Sequence, residues 1–201
     1  MSEDRLAKQV QFILEVDRLK NVLRQTPLRG GRQENSAEHS WHMALLAVVL
    51  AEYANEPVDV LRVVKMILVH DVVEVDAGDT YCYDVQANVG KEERERRAAE
   101  RIFGLLPEDQ AKELRGLWDE FEQRQTPESR FANAMDRVQP VMLNYLSGGK
   151  AWLEHGVSVG QVMQRNSPIE MGSKRLWEYI RGIIEDATEK GYLIKERPQG
   201  T

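Results

Sequence analysis

Apolar residues recur at helical spacing through most of this chain. Over residues 6–24, Leu6, Val10, Ile13, Leu14, Leu19, Val22 and Leu23 fall at mostly three- and four-residue intervals, which predicts an amphipathic helix. The stretch Thr26-Pro27-Leu28-Arg29-Gly30-Gly31-Arg32 then interrupts it with a proline and two glycines. Asn35 followed by Glu38 has the form of a capping box, so a second helix is expected to start there, with His39 in its first turn. From Met43 to Ala51 this helix is apolar on nearly every side, which predicts burial. A third helix, about residues 58–73, is equally apolar and carries His70 and Asp71 near its end, ahead of the turn residues Asp76-Ala77-Gly78-Asp79.

Residues 80–90 have no period and read as a loop suited to cover a site. A charged helix over about 91–104 follows, with Glu92/Arg96 and Glu93/Arg97 spaced for ion pairs. Pro107 opens another, whose inner face is Leu114, Leu117, Trp118 and Phe121. Thr126-Pro127 supplies an N-cap and a first-turn proline for a helix running to about 146, and Asp136 lies inside it. Pro140 lacks the N–H that would bond the Asp136 carbonyl, so a kink is expected there. Residues 147–172 contain glycines and little periodicity, which predicts a loose connection with short helical turns. A last helix spans about 173–190 and stops at Gly191. With no strand pattern and no repeat, the reading is one all-α domain over residues 1–194, with a frayed tail at 195–201.

Composition narrows the function. A chain of 201 residues, 42% hydrophobic, can bury a real core. Its net charge of −6 argues against a nucleic-acid polymer or an anionic membrane as partner. No apolar run reaches spanning length, and the N-terminus lacks the basic-then-apolar pattern of a signal peptide. The single cysteine, Cys82, cannot form an internal disulfide, which fits a reducing cytoplasm.

Four residues then stand out: His39, His70, Asp71 and Asp136. Each lies in or beside a strongly apolar helix, where an unpaired imidazole or carboxylate is costly. Two histidines and two carboxylates form a mixed nitrogen and oxygen set suited to a borderline divalent metal, and such a metal can activate water near neutral pH. Asp136 is the hardest to explain as a core residue, because Ala132, Met135 and Val138 share its face and Arg137 projects about 100° away around the helix. Glu74, four residues after His70, and Asp79, after the glycine turn, exceed what coordination needs and suit acid and base roles. His42 is read as a core or supporting histidine, and His155 has no partner in sequence. Arg24, Arg29 and Arg32 form a basic cluster suited to an anionic substrate, above all a phosphate, with Arg24 the best placed.

These residues resemble the H…HD…D signature of HD-domain metal-dependent phosphohydrolases, and most of all the bacterial 5′-deoxynucleotidases. The similarity runs from about residue 6 to 190 and is most specific at Glu34–Ser40 and His70–Asp79. The resemblance implies a helical bundle with a buried mononuclear metal site, held by His39, His70, Asp71 and Asp136. It implies Glu74 and Asp79 as catalytic carboxylates and Arg24 as a substrate-binding arginine. It also implies one divalent ion (cobalt, manganese or a similar ion such as magnesium, iron, nickel or zinc), a nucleoside 5′-monophosphate as the small phosphorylated substrate, and a homodimer. Gln25 follows Arg24 where that family has tryptophan, so selectivity for deoxyribose does not carry over. Other readings are hydrolysis of a cyclic nucleotide or alarmone, oxidative cleavage at a two-iron centre, which would need more histidines, and a non-catalytic metal-binding signalling module.

Overall fold

The computed structural model describes residues 5–195. The first helix, α1 (Arg5–Val16), is shorter than its periodicity predicts and buries no residue fully. A 3-10 turn over Asp17–Asn21 follows, and it sinks Leu19 into the core. The chain then forms a hairpin that the sequence pattern did not predict: β1 (Leu23–Pro27) pairs antiparallel with β2 (Gln33–Asn35). Its reversal is closed by Leu28 N–H donating to the Arg32 carbonyl at 2.8 Å and Gly31 N–H to the Leu28 carbonyl at 2.8 Å. Gly31 takes a φ of 88°, which a side chain would resist. Arg24 therefore sits in a strand and not at a helix end.

The predicted capping box is present at the start of α2 (Ser36–Leu50), with the Asn35 side chain accepting from Glu38 N–H and Glu38 reaching back. Asp59 caps α3 (Val60–His70), which tightens into a 3-10 turn at Asp71–Val73 and resumes as α4 (Glu74–Ala77). Gly78, at φ 73°, ends that run. An irregular segment leads to α5 (Lys91–Phe103), followed by α6 (Glu108–Gln123) and α7 (Pro127–Leu146). Thr126 caps α7 as expected, and α7 continues as one helix through Pro140. Residues 147–172 are more ordered than predicted: they hold α8 (Lys150–Glu154), α9 (Val159–Asn166) and α10 (Ile169–Gly172) before α11 (Lys174–Glu189). Of the tail expected to fray, 196–201 lie outside the described residues.

The long helix α7 is the centre of the bundle. It buries Phe131, Ala132, Ala134, Met135 and Val138, and packs against α2, α3, α6, α10 and α11. Gly172 lets α10 approach it closely, since a Cβ there would meet the Arg130 carbonyl oxygen at 2.4 Å. The all-round burial predicted for α2 is not observed: Trp41, Leu45, Val48 and Val49 are 48–66% exposed along one side. Leu61 and Leu68 of α3 are also exposed. A helix apolar all round is therefore buried on one face here and bare on the other. Among the described residues, no helix is long and apolar enough to cross a membrane.

Candidate metal centre

Three elements bring the candidate ligands together. The first turn of α2 supplies His39, the last residue of α3 supplies His70, and the middle of α7 supplies Asp136. One ligand atom from each lies within 4.8 Å of the others. The hydrogen bonds behind the two rings decide which nitrogen faces inward. His70 Nδ1 lies 2.7 Å from the Ile67 carbonyl, which can only accept, so Nδ1 carries the hydrogen and Nε2 the lone pair. His39 Nδ1 lies 3.1 Å from Gln139 Oε1. The orientation of that amide is set in turn by its Nε2, which donates to the Glu34 carboxylate. Both histidines thus turn Nε2 toward Asp136, at 3.2 Å from Oδ1 for His39 and 4.0 Å for His70.

This arrangement fits a metal ion. His70 Nε2 is buried without a hydrogen-bond partner, although Asp71 Oδ1 is 3.0 Å away. With any Nε2 proton displaced, the two imidazole nitrogens and a carboxylate would form the donor set expected for a divalent cation, with the supporting hydrogen bonds already made. Asp71 stands beside these three residues: its Oδ2 is 4.0 Å from His39 Nε2 and accepts from Arg24 Nη1 at 3.0 Å.

The carboxylates predicted for proton transfer lie on the same side. The Ser36 hydroxyl donates to Glu74 Oε2 at 2.6 Å in a fully buried setting. Arg24 Nη1 lies 3.5 Å from Asp79 Oδ1, and its Nε is 3.8 Å from Glu34. Burial and the charge of Asp71 raise Glu74 to about 8. Burial also raises Asp79, against the pull of Arg24. Asp71 moves the other way: burial opposes ionisation, but His70 and Arg24 outweigh it and hold its pKa at about 2. Burial and Arg24 work against a charged His39, while Asp136 and Glu34 favour it and carry its pKa to about 9. For Arg24, burial is outweighed by Asp71, Asp79, Glu74 and Asp136, which keep the guanidinium charged.

A cavity of about 290 Å³ opens beside this cluster, lined by His70, Asp71, Glu74, Asp79 and Asp136 among others. Gln25 and Trp152 also face it. Of the basic loop cluster, only Arg24 reaches the site; Arg32 pairs with Glu38, and Arg29 is exposed. His42 stays outside the ligand cluster, 3.3 Å from Gln139 Nε2, and His155 packs on Tyr81 with ring centroids 4.4 Å apart. The helical-wheel separation of Arg137 from Asp136 does not hold. The Arg137 side chain is long enough to bring Nη1 within 3.7 Å of Asp136 Oδ2 while 3% exposed.

Several residues at the site escaped the sequence reading. Gln139 is three residues from Asp136 and so shares its helical face, a spacing that could have marked it. Lys91, Arg124 and Arg165, which line the cavity, carry no comparable signal, because only the fold brings them there.

The architecture and the cluster define an all-helical domain whose helices converge on two imidazoles and a carboxylate able to hold a metal. The HD domain family model matches residues 16–177, and the chain belongs to that family. Human 5′-deoxynucleotidase HDDC2 is 34% identical over 138 residues, covering 66% of this chain and 65% of that protein. The Escherichia coli 5′-deoxynucleotidase YfbR is 31% identical over 110 residues, covering 51% of this chain and 55% of that protein. The chain thus spans somewhat less than two thirds of these curated relatives. The crystal structure of a predicted metal-dependent phosphohydrolase from Magnetospirillum magnetotacticum superposes with a TM-score of 0.90 at 52% identity, covering 94% of this chain and 95% of that one.

Proposed function

We propose that this chain is a metal-dependent phosphohydrolase that releases phosphate from nucleoside 5′-monophosphates. The observation that carries this reading is the pair of histidines, each with Nδ1 committed to an acceptor and Nε2 turned toward Asp136. The names of the human and E. coli relatives support the substrate class. His39, His70, Asp71 and Asp136 would hold one divalent ion, cobalt, manganese or a similar metal. When bound, that ion supplies Lewis acidity and lowers the pKa of water.

The protein groups do the rest. Glu74, fixed by the Ser36 hydroxyl, orients the attacking water and takes its proton. Asp79 passes a proton to the leaving oxygen. Arg24, which donates to Asp71 at the edge of the site, neutralises charge on the phosphate. With Gln25 on the cavity wall, ribo- and deoxyribonucleotides are both accepted. The protein works in the cytoplasm as a homodimer, whose interface includes the exposed Trp41, Leu45, Val48 and Val49 face.

Phosphate release from a panel of ribo- and deoxyribonucleoside 5′-monophosphates, with Co²⁺, Mn²⁺ or Mg²⁺ and an EDTA control, tests the activity. Metal-dependent release is expected, and its absence with every metal would overturn the reading. A Glu74→Ala protein turning over at the wild-type rate would remove the role given to that residue. Light scattering on the wild type and Val48→Glu tests the dimer: a wild-type monomer would refute it.

A further inference from the structure

Three arginines from three elements line the metal-site cavity. Arg137 of α7 is 3% exposed; its Nη1 donates to the Asn133 carbonyl at 3.0 Å, and its Nε is buried with no hydrogen-bond partner. Arg165 of α9 lies against the thiol of Cys82, a neutral neighbour. Arg124 follows α6 and also faces the cavity. Among the described residues, neither Arg124 nor Arg165 is ion-paired.

Arg137 is buried with the like charges of Arg165 and Arg124 close to it. Asp136 is the carboxylate that acts on both Arg137 and Arg165, and it faces His39 and His70 as well.

The backbone at Arg124 points the same way. It has a φ of 55°, the one non-glycine residue with positive φ among those described, at a helix end where glycine is favoured. A strained position held by an arginine whose side chain faces a cavity is a mark of function.

We propose that Arg124, Arg137 and Arg165 form a second anion subsite on the Asp136 side of the cavity, so that the preferred substrate is a phosphate ester bearing a second anionic group. This rests on the phosphohydrolase reading for its first group, which Arg24 and the metal ligands receive. The second group is held by planar guanidinium forks, which suit a phosphate or carboxylate.

The test compares a nucleoside 5′-monophosphate with the matching 3′,5′-bisphosphate, by phosphate release with Mn²⁺ and by calorimetric binding to the Glu74→Gln protein. The wild type should favour the bisphosphate by about tenfold or more in kcat/KM, the scale of one charged hydrogen bond. Arg165→Gln and Arg124→Gly should bring that ratio close to unity. Arg124→Gly also relieves the positive φ, so its effect cannot be ascribed to misfolding. Equal wild-type use of both esters, or a ratio unchanged in both variants, would overturn the subsite and leave the hydrolase standing. Tight, arginine-dependent bisphosphate binding without hydrolysis would uphold the subsite and overturn the hydrolase. Neither hydrolysis nor preferential binding would overturn both.

Discussion

Replacing Gln139 with leucine separates the support of the metal site from the site itself. The side chain keeps nearly the same volume but loses every polar contact the glutamine makes. Those contacts are an acceptor for His39 Nδ1 at 3.1 Å, a donor to the Glu34 carboxylate, and a 3.3 Å contact to His42 Nδ1. Gln139 is fully buried and Glu34 is 1% exposed, so water cannot take its place. Loss of the bond to a carboxylate costs about 1.5–3 kcal/mol and loss of the neutral bond about 1 kcal/mol, so the metal-free protein should lose roughly 2–4 kcal/mol. For a chain of this length, that corresponds to a drop in Tm of roughly 5–15 °C. Metal affinity should fall by about 10–100-fold, because His39 is no longer held with Nε2 facing Asp136. Melting curves in EDTA measure the first quantity, and calorimetric titration with Mn²⁺ the second. Gln139→Glu keeps an acceptor for His39 but sets two carboxylates together, so it should retain more metal affinity than the leucine variant while still melting early. If the leucine variant bound Mn²⁺ within about threefold of wild type, the orienting role of this amide would be refuted.

Other substitutions probe the frame around the site. Gly172→Ala should destabilise by about 1–3 kcal/mol, since its Cβ would strike the Arg130 backbone and Ala134 on α7. Gly182→Ala, mid-helix in α11 with nothing near its Cβ, should instead stabilise by about 0.5–1 kcal/mol, and melting curves of the two should diverge in sign. Glu120 accepts from Arg62 and from the Thr126 hydroxyl; burial opposes its ionisation, but these bonds prevail and lower its pKa. Its contribution is therefore fully present above the unfolded carboxylate range and lost as pH falls through the lower folded value. Glu120→Gln should melt below wild type at pH 7, and the gap should close in acid; a gap constant with pH would refute that account.

Local signals carried most of the helical frame. The capping box at Asn35 and Glu38 and the Thr126-Pro127 start of α7 are short-range chemistry, and both form as expected. His39, His70 and Asp136 were legible because polar groups in apolar helices need a reason to be there. The hairpin was not legible, because its strands are short and its proline and glycines read as a helix break. The bare faces of α2 and α3 were missed because apolar pattern records preference for burial and not which partner supplies it. Arg137 shows the limit of angular reasoning: a helical wheel places Cβ atoms, while a guanidinium reaches several ångströms beyond its own. The gathering of Arg124, Arg137 and Arg165 depends on tertiary packing that no local window contains.

The hairpin also bears on how this chain can vary. Arg24 lies on its first strand, Glu34 on its second, and Ser36 and His39 directly follow. Between them, Arg29, Gly30, Gly31 and Arg32 are exposed at the tip. Gly31 apart, the tip is thus a place where length and composition can drift, or a reporter peptide be inserted, without disturbing the chemistry. A single-residue deletion within β2 would have the opposite result, reversing its side-chain alternation and moving Glu34 off Gln139. Tolerance and constraint thus alternate within a few residues, and the boundary between them is the last cross-strand pair, Pro27 with Gln33.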